Sequence, residues 1–434
     1  MFKRVEIFYQ KKKRGLKALL SLYNQEPKYA LRVISKRVLK SLYFLSIPYL
    51  ILFLPFLLFI RLLKPFFLIR LGALESEGIG HFTLPVEIYL AEIECNVHQN
   101  TNVLDVWYLG SKVCNETLKE KWKEHLLVFP RILLLPIDKL NKIIPGGKGH
   151  CIPYRRIEDT NYASPYVKNP WQAVDIYDVI SKTRPRIKIT KDERADCIRN
   201  LNEIGFDPSK KYVCFNVRDS SYHRDSNLFE HRNGSINDYH IVFNYLNELG
   251  YQVIRLGSSV QEKLTLEGPL IFDYASSDVR SDLIDLFLIS ECSFSVGTGC
   301  GLDCASVLFR KMHAFIDIVQ IGTIPDFAHG SIIIFKKFLE DGKEISLKQI
   351  RDKGFMSYTL ASQYKEKNIT FKENTSKQIK EILWEMHSRV NKTWETLPEH
   401  HVNQAKFRGL FSIDAPTSGI TALIGSEFIK TVID

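Results

Sequence analysis

The sequence predicts an α/β protein with two units, each built on a parallel sheet, behind a basic arm and an apolar segment. Three observations carry this prediction. Short apolar runs alternate with helical repeats along most of the 434 residues, glycine-rich turns follow several of the runs, and residues 41–60 contain no charged side chain. Strands that alternate with helices are typical of parallel sheets. The length is that of two domains rather than one.

The composition excludes several classes of protein. With 45% hydrophobic and 25% charged residues the chain is not a disordered protein. Its formal charge of +10 is carried by residues 1–40, which hold twelve Lys and Arg against Glu6 and Glu26. A nucleic-acid-binding domain carries its basic patch on the folded body, and here the body is close to neutral. We therefore expect no nucleic-acid partner.

The cysteines indicate neither a disulfide framework nor a zinc site. There are eight in the chain, with no C-x-x-C pair and no Cys/His spacing typical of structural zinc. Cys300 and Cys304 are four residues apart without a third ligand nearby in the sequence. We expect small buried thiols in a reducing compartment.

Residues 1–40 form a basic amphipathic arm, and residues 41–64 a hydrophobic membrane anchor. The uncharged stretch is long enough for a helix to span about 30 Å of hydrocarbon, but Pro48 and Pro55 interrupt it. Basic residues flank both of its ends, which favours a re-entrant or in-plane anchor over a crossing. We expect the arm to contact an anionic membrane surface, at the cytoplasmic face of the inner membrane.

The first unit is predicted over residues 65–205. Its strand candidates are FFLIRLGAL and VLDVWYLG, and helical patterns follow each of them. The first helix begins at a Gly-Ile-Gly-His turn. Residues 145–185 are rich in Pro, Gly, Asn and Tyr, and are interpreted as an irregular linker.

The second unit, over residues 206–390, alternates more clearly. Its predicted strands are KKYVCFNVRD, YQVIRLGSS, PLIFDYAS, CSFSVGTGCG and MHAFIDIV, with amphipathic helices between them. This order indicates a doubly wound parallel sheet. A further helix is predicted in SKQIKEILWEMHSRVNKTW, and residues 391–434 are interpreted as a less regular tail.

Ligands of such sheets bind beyond the carboxyl ends of the strands, and the residues found there suit a diphosphate. A glycine-rich turn that begins a helix presents free amides, and arginines supply bidentate contacts. The alternative is that this turn serves packing alone. The predicted donor-binding residues are Arg218, Asp219, Arg224, Arg255, Gly257, Ser258, Gly297, Thr298, Gly299, Gly301 and Asp303. Because the chain contains no D-x-D pair, we expect no metal.

The segments NVRD, YHRDSN, HRNGSINDY and SVGTGCGLDCASVLFRK resemble the second domain of a bacterial family of membrane-associated glycosyltransferases. These enzymes build surface polysaccharides such as O-antigen. IRLGALESEGIGH is similar to the same family, and the VRD strand end is distantly similar to the arginine motif of fucosyltransferases. The resemblance implies two Rossmann-like domains in the GT-B architecture, with the acceptor in the first and a nucleotide-sugar donor, as co-substrate rather than cofactor, in the second.

An inverting sugar transfer needs a base to deprotonate the acceptor hydroxyl, and we expect it in the first domain. His81 is the preferred candidate, and Glu75 and Glu77 are the alternatives; each could instead bond only locally. Asp219 and Asp225 could orient the arginines or contact the donor ribose. Glu373 and Glu381 have E-x7-E spacing but are interpreted as solvated charges of a late helix.

The leading functional hypothesis is a hexosyl- or deoxyhexosyltransferase that acts on a lipid-linked or envelope glycan. A non-catalytic, membrane-bound glycan-binding or scaffold protein with the same fold is the alternative. A nucleotide-sugar epimerase using NAD is disfavoured, because neither unit has G-x-G-x-x-G after its first strand.

Overall fold

The computed structural model describes residues 47–97, 102–153, 175, 177–221, 227–321, 328–410 and 422–432. Parallel strands form two sheets, and a small antiparallel sheet accompanies them. The strands are β1 (Leu68–Leu74), β2 (Val103–Leu109), β3 (Leu127–Val128), β4 (Tyr212–Asn216), β5 (Gln252–Arg255), β6 (Ile271–Phe272), β7 (Phe294–Gly297), β8 (His313–Ile318), β9 (Ile332–Phe335), β10 (Lys337–Glu340), β11 (Lys343–Glu344), β12 (Ile369–Lys372) and β13 (Leu423–Ile424). The helices are α1 (Ile47–Ile51), α2 (Leu54–Leu62), α3 (Ile79–Glu94), α4 (Glu116–Lys123), α5 (Arg131–Ile143), α6 (Val179–Lys182), α7 (Lys191–Asn202), α8 (His240–Glu248), α9 (Asp282–Glu291), α10 (Gly301–Leu308), α11 (Leu347–Asp352), α12 (Ala361–Lys365), α13 (Ser376–Val390), α14 (Pro398–Arg408) and α15 (Ile429–Val432).

The larger sheet has seven parallel strands in the order β6-β5-β4-β7-β8-β9-β13. The chain first adds strands on one side of β4 and then returns to add β7 and its successors on the other side. The doubly wound parallel sheet predicted for the second unit is therefore confirmed. The winding reverses between β4 and β7, which is where such sheets bind their ligands.

The first unit is smaller than the prediction. Among the described residues its sheet contains β1, β2 and β3, all parallel. Helix α3 covers one face, where Phe82 packs in one cluster with Trp107, and α2 and α5 cover the other, where Leu57 packs with Leu134. The cluster beneath α3 continues into Cys214 of the larger sheet. The two sheets thus share a core, whereas the sequence predicted two complete Rossmann-like domains.

The predicted boundaries at residues 205 and 390 do not follow the packing. Helix α7 was assigned to the first unit, but its Cys197 and Leu201 pack in the cluster that contains Tyr212 of β4. The tail, predicted to be less regular, contributes α14 and the edge strand β13, where Leu423 pairs with Ile332 of β9. The tail therefore completes the larger sheet.

The apolar segment is described from Ile47 onward, and residues 41–46 and the basic arm lie outside the described residues. Helices α1 and α2 are separated by a break, and Pro55 lies in the first turn of α2. A proline is tolerated there because the first amides of a helix have no intrahelical partner. Among the described residues, no helix combines the length and the apolarity needed to cross a bilayer.

Two glycines allow the two parts of the molecule to meet closely. A Cβ on Gly80 of α3 would lie 3.0 Å from the Cα of Gly301 in α10, and a Cβ on Gly301 would lie 3.0 Å from the Gly80 amide nitrogen. Side chains at these positions would force the helices apart. The first turns of α3 and α10 are therefore in backbone contact.

A buried carboxylate ties the same two helices together further along. Glu87 of α3 is fully buried. Its Oε1 accepts hydrogen bonds from Arg310, which follows α10, at 2.7 Å and from Arg186, which precedes α7, at 3.2 Å. One buried carboxylate thus contacts two guanidinium groups at the junction of the two sheets.

We predict that Glu87→Gln lowers the free energy of unfolding by about 3 kcal/mol, because it leaves Arg186 and Arg310 beside a neutral side chain at a buried site. Glu94 is the matched control, since it also contacts Arg186 but its side chain is 58% exposed. Glu94→Gln should cost less than about 1 kcal/mol. Chemical denaturation of both variants measures the difference; equal effects would contradict a special role for Glu87.

Candidate functional site

The candidate site lies where β4 and β7 end side by side. Asn216 and Gly297 are paired in register as the last residues of these two strands. The chain leaves β4 toward Arg218 and leaves β7 into the first turn of α10. This is the crevice that the reversal of winding opens at the carboxyl edge of the sheet.

A buried polar pair holds the floor of this crevice. The Nδ2 of Asn216 donates to Oδ1 of Asp303 at 2.8 Å, and the other carboxylate oxygen accepts from the amide of Cys300 at 2.8 Å. A Cβ on Gly297 would lie 2.2 Å from that Oδ1. Gly297 therefore makes room for the pair, and Asp303 supports the turn from within rather than reaching outward.

The other residues of the turn also have structural tasks. Gly299 has φ +81°, a left-handed conformation that favours glycine. Gly301 makes the close contact with Gly80. The hydroxyl oxygen of Thr298 accepts from the Arg218 amide at 2.8 Å, which joins the turn to the end of β4. Each glycine of the turn thus has a structural role, so the glycines alone do not indicate a ligand. The charged side chains near the turn give the stronger indication.

Two arginines without a carboxylate partner lie beside this turn. Arg218 follows β4, and its Nε is buried without a hydrogen-bond partner among the described residues. Arg232, from the segment 227–232, donates to the carbonyl of Gly299. Over the described ranges neither guanidinium forms an ion pair. Burial, and then the positive charge of Arg218, lowers the pKa of Arg232 to about 10, so both groups remain charged at neutral pH.

Lys336 and His231 lie close to the two arginines. Lys336 is buried, and its Nζ bonds to Glu373 Oε1 at 2.8 Å and to the Asn233 carbonyl at 3.1 Å. Glu373 lies before the start of α13 and forms an ion pair with Lys336. We had expected it to be a solvated charge on that helix. Burial, with help from Arg232, Lys336 and Arg218, lowers the pKa of His231 to about 3.

The sequence analysis missed Arg232, Asn216, Lys336 and His231. Arg232 and His231 lie within the HRNGSINDY segment, which resembles the glycosyltransferase family. They belong to a loop rather than a strand end, so the sheet rule gave no reason to select them. Asn216 is the final residue of its strand, whereas the residues selected from this region were those that follow the strand, beginning with Arg218.

Arg255 lies apart from the pair formed by Arg218 and Arg232. It ends β5, is 3% exposed, and bonds to both carboxylate oxygens of Asp273, at 3.1 and 3.3 Å. Asp273 ends the neighbouring strand β6 and also accepts from the amide of Leu264 at 3.0 Å. The expected second phosphate-binding arginine is here held in an internal ion pair, and Arg232 takes its place beside the glycine-rich turn.

The remaining predicted donor residues shape the loops around Arg218. Asp219 accepts from the amides of Ser221 at 2.9 Å and Gln261 at 2.7 Å, and so fixes the loop after β4. Gly257 and Ser258 follow β5, where a Cβ on Gly257 would lie 2.7 Å from Val260. Arg224 and Asp225 lie outside the described residues.

The predicted catalytic residues precede and begin α3. His81 lies next to Gly80, and its Nδ1 is 3.8 Å from Oε2 of Glu75. Glu77 accepts from the amide and the hydroxyl of Ser111, at 2.6 and 2.9 Å. Burial acts to raise the pKa of Glu77, but the hydrogen bonds from Ser111 outweigh it and hold that pKa below its usual range. His81 and Glu75 are therefore better placed for proton transfer than Glu77.

Together these groups can bind an anion at one end and accept a proton at the other. The amides of α10 and two guanidinium groups without an ion-pair partner among the described residues favour a group with several negative oxygens. An imidazole next to a carboxylate is the arrangement of a general base. Among the residues that the structure describes, no three His, Cys, Asp or Glu side chains are grouped to hold a metal ion.

We predict that His231 makes stability dependent on pH. Its pKa is about 3 in the folded protein and about 6.5 in the unfolded chain, so the unfolded chain binds the proton more tightly. Stability is therefore full above pH 6.5 and falls by roughly 1 kcal/mol for each pH unit on acidification toward 3.

The variant His231→Phe should lose this dependence, since its ring would lie among Tyr364 and Phe371 without titrating. His401→Phe, at an exposed position of α14, is the control and should leave the slope unchanged. Melting temperatures between pH 4 and 7 measure the slopes; identical slopes for His231→Phe and the wild type would refute the prediction.

No protein-family model and no curated protein sequence matches the chain. It is similar to solved structures at low identity. These include the ADP-heptose lipopolysaccharide heptosyltransferase II of E. coli (11% identity, TM-score 0.44, 74% of this chain and 100% of that chain). Two more are a family 9 glycosyl transferase of Veillonella parvula DSM 2008 (9% identity, TM-score 0.41, 74% of this chain and 97% of that chain) and the dodecameric iron-containing heptosyltransferase TibC in complex with ADP-D-beta-D-heptose (10% identity, TM-score 0.34, 74% of this chain and 77% of that chain).

Proposed function

We propose that the protein is a glycosyltransferase that moves a sugar from a nucleotide-sugar donor to an acceptor hydroxyl. The observation that carries the proposal is the pair Arg218 and Arg232, which have no carboxylate partner among the described residues and lie beside the amides of α10. A diphosphate supplies the negative charge that this pair lacks. The resemblance of the surrounding segments to glycosyltransferases of surface-polysaccharide biosynthesis supports the same function.

In the proposed reaction the acceptor oxygen attacks the anomeric carbon as the bond from that carbon to the diphosphate breaks. Arg218, Arg232 and the α10 amides stabilise the charge that develops on the leaving diphosphate. His81, oriented by Glu75, takes the proton of the acceptor hydroxyl. Attack opposite the leaving group inverts the anomeric centre, and the two guanidinium groups fill the charge-neutralising role that a metal ion has in other transferases.

The acceptor we propose is a lipid-linked or other membrane-associated glycan of surface-polysaccharide synthesis, reached from the cytoplasmic face of the inner membrane. The basic arm and the apolar segment of the sequence support this location, since an enzyme held at the membrane meets an acceptor that is confined there. The transferred sugar is proposed to be a hexose or deoxyhexose.

We predict that Arg218→Ala and Arg232→Ala each weaken nucleoside diphosphate binding by roughly 10- to 100-fold, because each removes charge-assisted hydrogen bonds worth about 1.5–3 kcal/mol. Arg199→Ala is the control, since that side chain is 74% exposed on α7. Calorimetric titration with ADP, GDP and UDP, with and without EDTA, measures affinity and metal dependence. If both variants bound nucleoside diphosphates with wild-type affinity, the proposed donor site would be contradicted.

We predict that His81→Ala reduces turnover by about 10²- to 10⁴-fold and leaves nucleoside diphosphate affinity intact, because general base catalysis contributes that range. Glu77→Gln should have a smaller effect. Release of nucleoside diphosphate from nucleotide-sugars, in the presence of lipid-linked glycans, measures turnover. Donor binding without turnover in the wild type, for every acceptor tried, would instead favour a glycan-binding or scaffold protein.

A further inference from the structure

The first unit has an unusually apolar outer surface. Helices α2 and α5 cover the β1-β2-β3 sheet with their inner sides, where Leu57 and Leu134 are buried. Of the 21 strongly exposed large apolar residues among those described, twelve lie in residues 49–67 and 132–143. Soluble monomers rarely leave such a contiguous apolar surface in water.

Both helices contribute to this surface. Phe56, Phe59 and Leu62 are exposed on α2, and Leu57 is the only buried residue of that helix. On α5, Ile132 and Ile143 are 70% and 71% exposed. They are eleven residues apart, which is about three helical turns, so they lie on one side of the helix. We call the exposed sides of α1, α2 and α5 the outer face.

Hydrogen bonds at both ends hold α5 alongside the apolar segment. The Tyr49 hydroxyl donates to the carbonyl of Ile132 at 3.0 Å, at the start of α5. At the other end the Arg61 guanidinium donates to the carbonyls of Pro145 at 2.7 Å and Ile144 at 3.0 Å. The two segments are thus presented side by side, as a surface rather than as one protruding helix.

Nearly all of the charged residues around the outer face are basic. Residues 47–67 and 131–148 contain six Lys or Arg and a single acidic residue, Asp138. Asp138 is buried and accepts from Tyr108 and Lys142, both at 2.7 Å. The charged residues of these two segments are therefore mainly basic, and in the sequence residues 1–40 carry a further +10.

From this combination we infer that α5 and α2 together form an in-plane membrane-binding face whose partner is a lipid bilayer with anionic headgroups. Apolar side chains enter the acyl boundary while basic ones contact the headgroups. A second copy of the chain fits less well, because a symmetric contact would bring two basic rims together. The inference adds α5 to the surface, a helix whose sequence had not indicated membrane contact, and it does not depend on the proposed activity.

The test compares vesicle binding of the full chain and of variants on α5. Phosphatidylcholine vesicles with about one third phosphatidylglycerol are sedimented with the protein at roughly 0.1 and 0.5 M salt. The double variant Ile132→Glu/Ile143→Glu should bind at least about tenfold more weakly than the wild type, because it places two carboxylates at the acyl boundary. Ile241→Glu, at a 56% exposed apolar position of α8, is the matched control and should bind like the wild type.

Hydrogen exchange of the wild-type protein tests the same point without mutation. Peptides from residues 47–67 and 131–148 should become protected when vesicles are added, whereas peptides from residues 240–250 should not. Unchanged exchange in 131–148, or wild-type binding by the double variant, would overturn the role of α5. The inference would equally fail if the wild type formed lipid-independent dimers in the ultracentrifuge that the double variant dissolved.

Discussion

The contact between Gly80 and Gly301 determines where the two parts of the molecule meet, and the candidate site depends on it. Without side chains at these positions, α3 and α10 approach with their first turns in backbone contact. Both helices then present the positive ends of their dipoles in one region. The same contact brings His81 next to the turn that follows β7. The glycine-rich turn and the candidate base are neighbours because two glycines permit the close contact.

Arg218 and Arg232 differ from two other shielded arginines of the chain. Arg70 bonds to Asp105 at 2.6 Å, and Arg280 to Asp285 at 2.6 Å. Such pairing is expected, because an unpaired charge removed from water is costly. Within the described residues, the two arginines at the crevice lack such a partner. A bound ligand with negative charge would neutralise the two guanidinium groups and so stabilise this arrangement.

Five of the seven strands of the larger sheet were predicted, because they are short apolar runs between helices of clear period. Strand β9 was not predicted, and β13 was missed because it has only two residues and lies in a tail without an apolar repeat. The small antiparallel sheet was missed for a similar reason, since Lys337–Glu340 has only four residues, of which just the two central ones are apolar.

The part of the candidate site that follows from strand order could be predicted from the sequence. Residues after β4 and β7 were selected correctly as neighbours, because parallel strands end at the same edge. Strand order does not show whether an arginine at this edge can bind a ligand, because that depends on its ion-pair partners. Arg255, for example, pairs with Asp273, which follows the adjacent strand. Arg232 reaches the site from a loop, whose path no periodic pattern describes.

The outer face and the candidate site are on opposite sides of one thin sheet, and this has a geometric consequence. Helices α2 and α5 form one layer, β1–β3 the next, and α3 the third. Layers of this kind are about 10 Å apart, so α3 lies roughly 20 Å above the layer that carries the outer face. With that face on a bilayer, the crevice at the start of α3 faces the aqueous side just beyond the headgroups. A sugar linked to a membrane lipid extends into this zone, whereas a soluble donor enters it from the water.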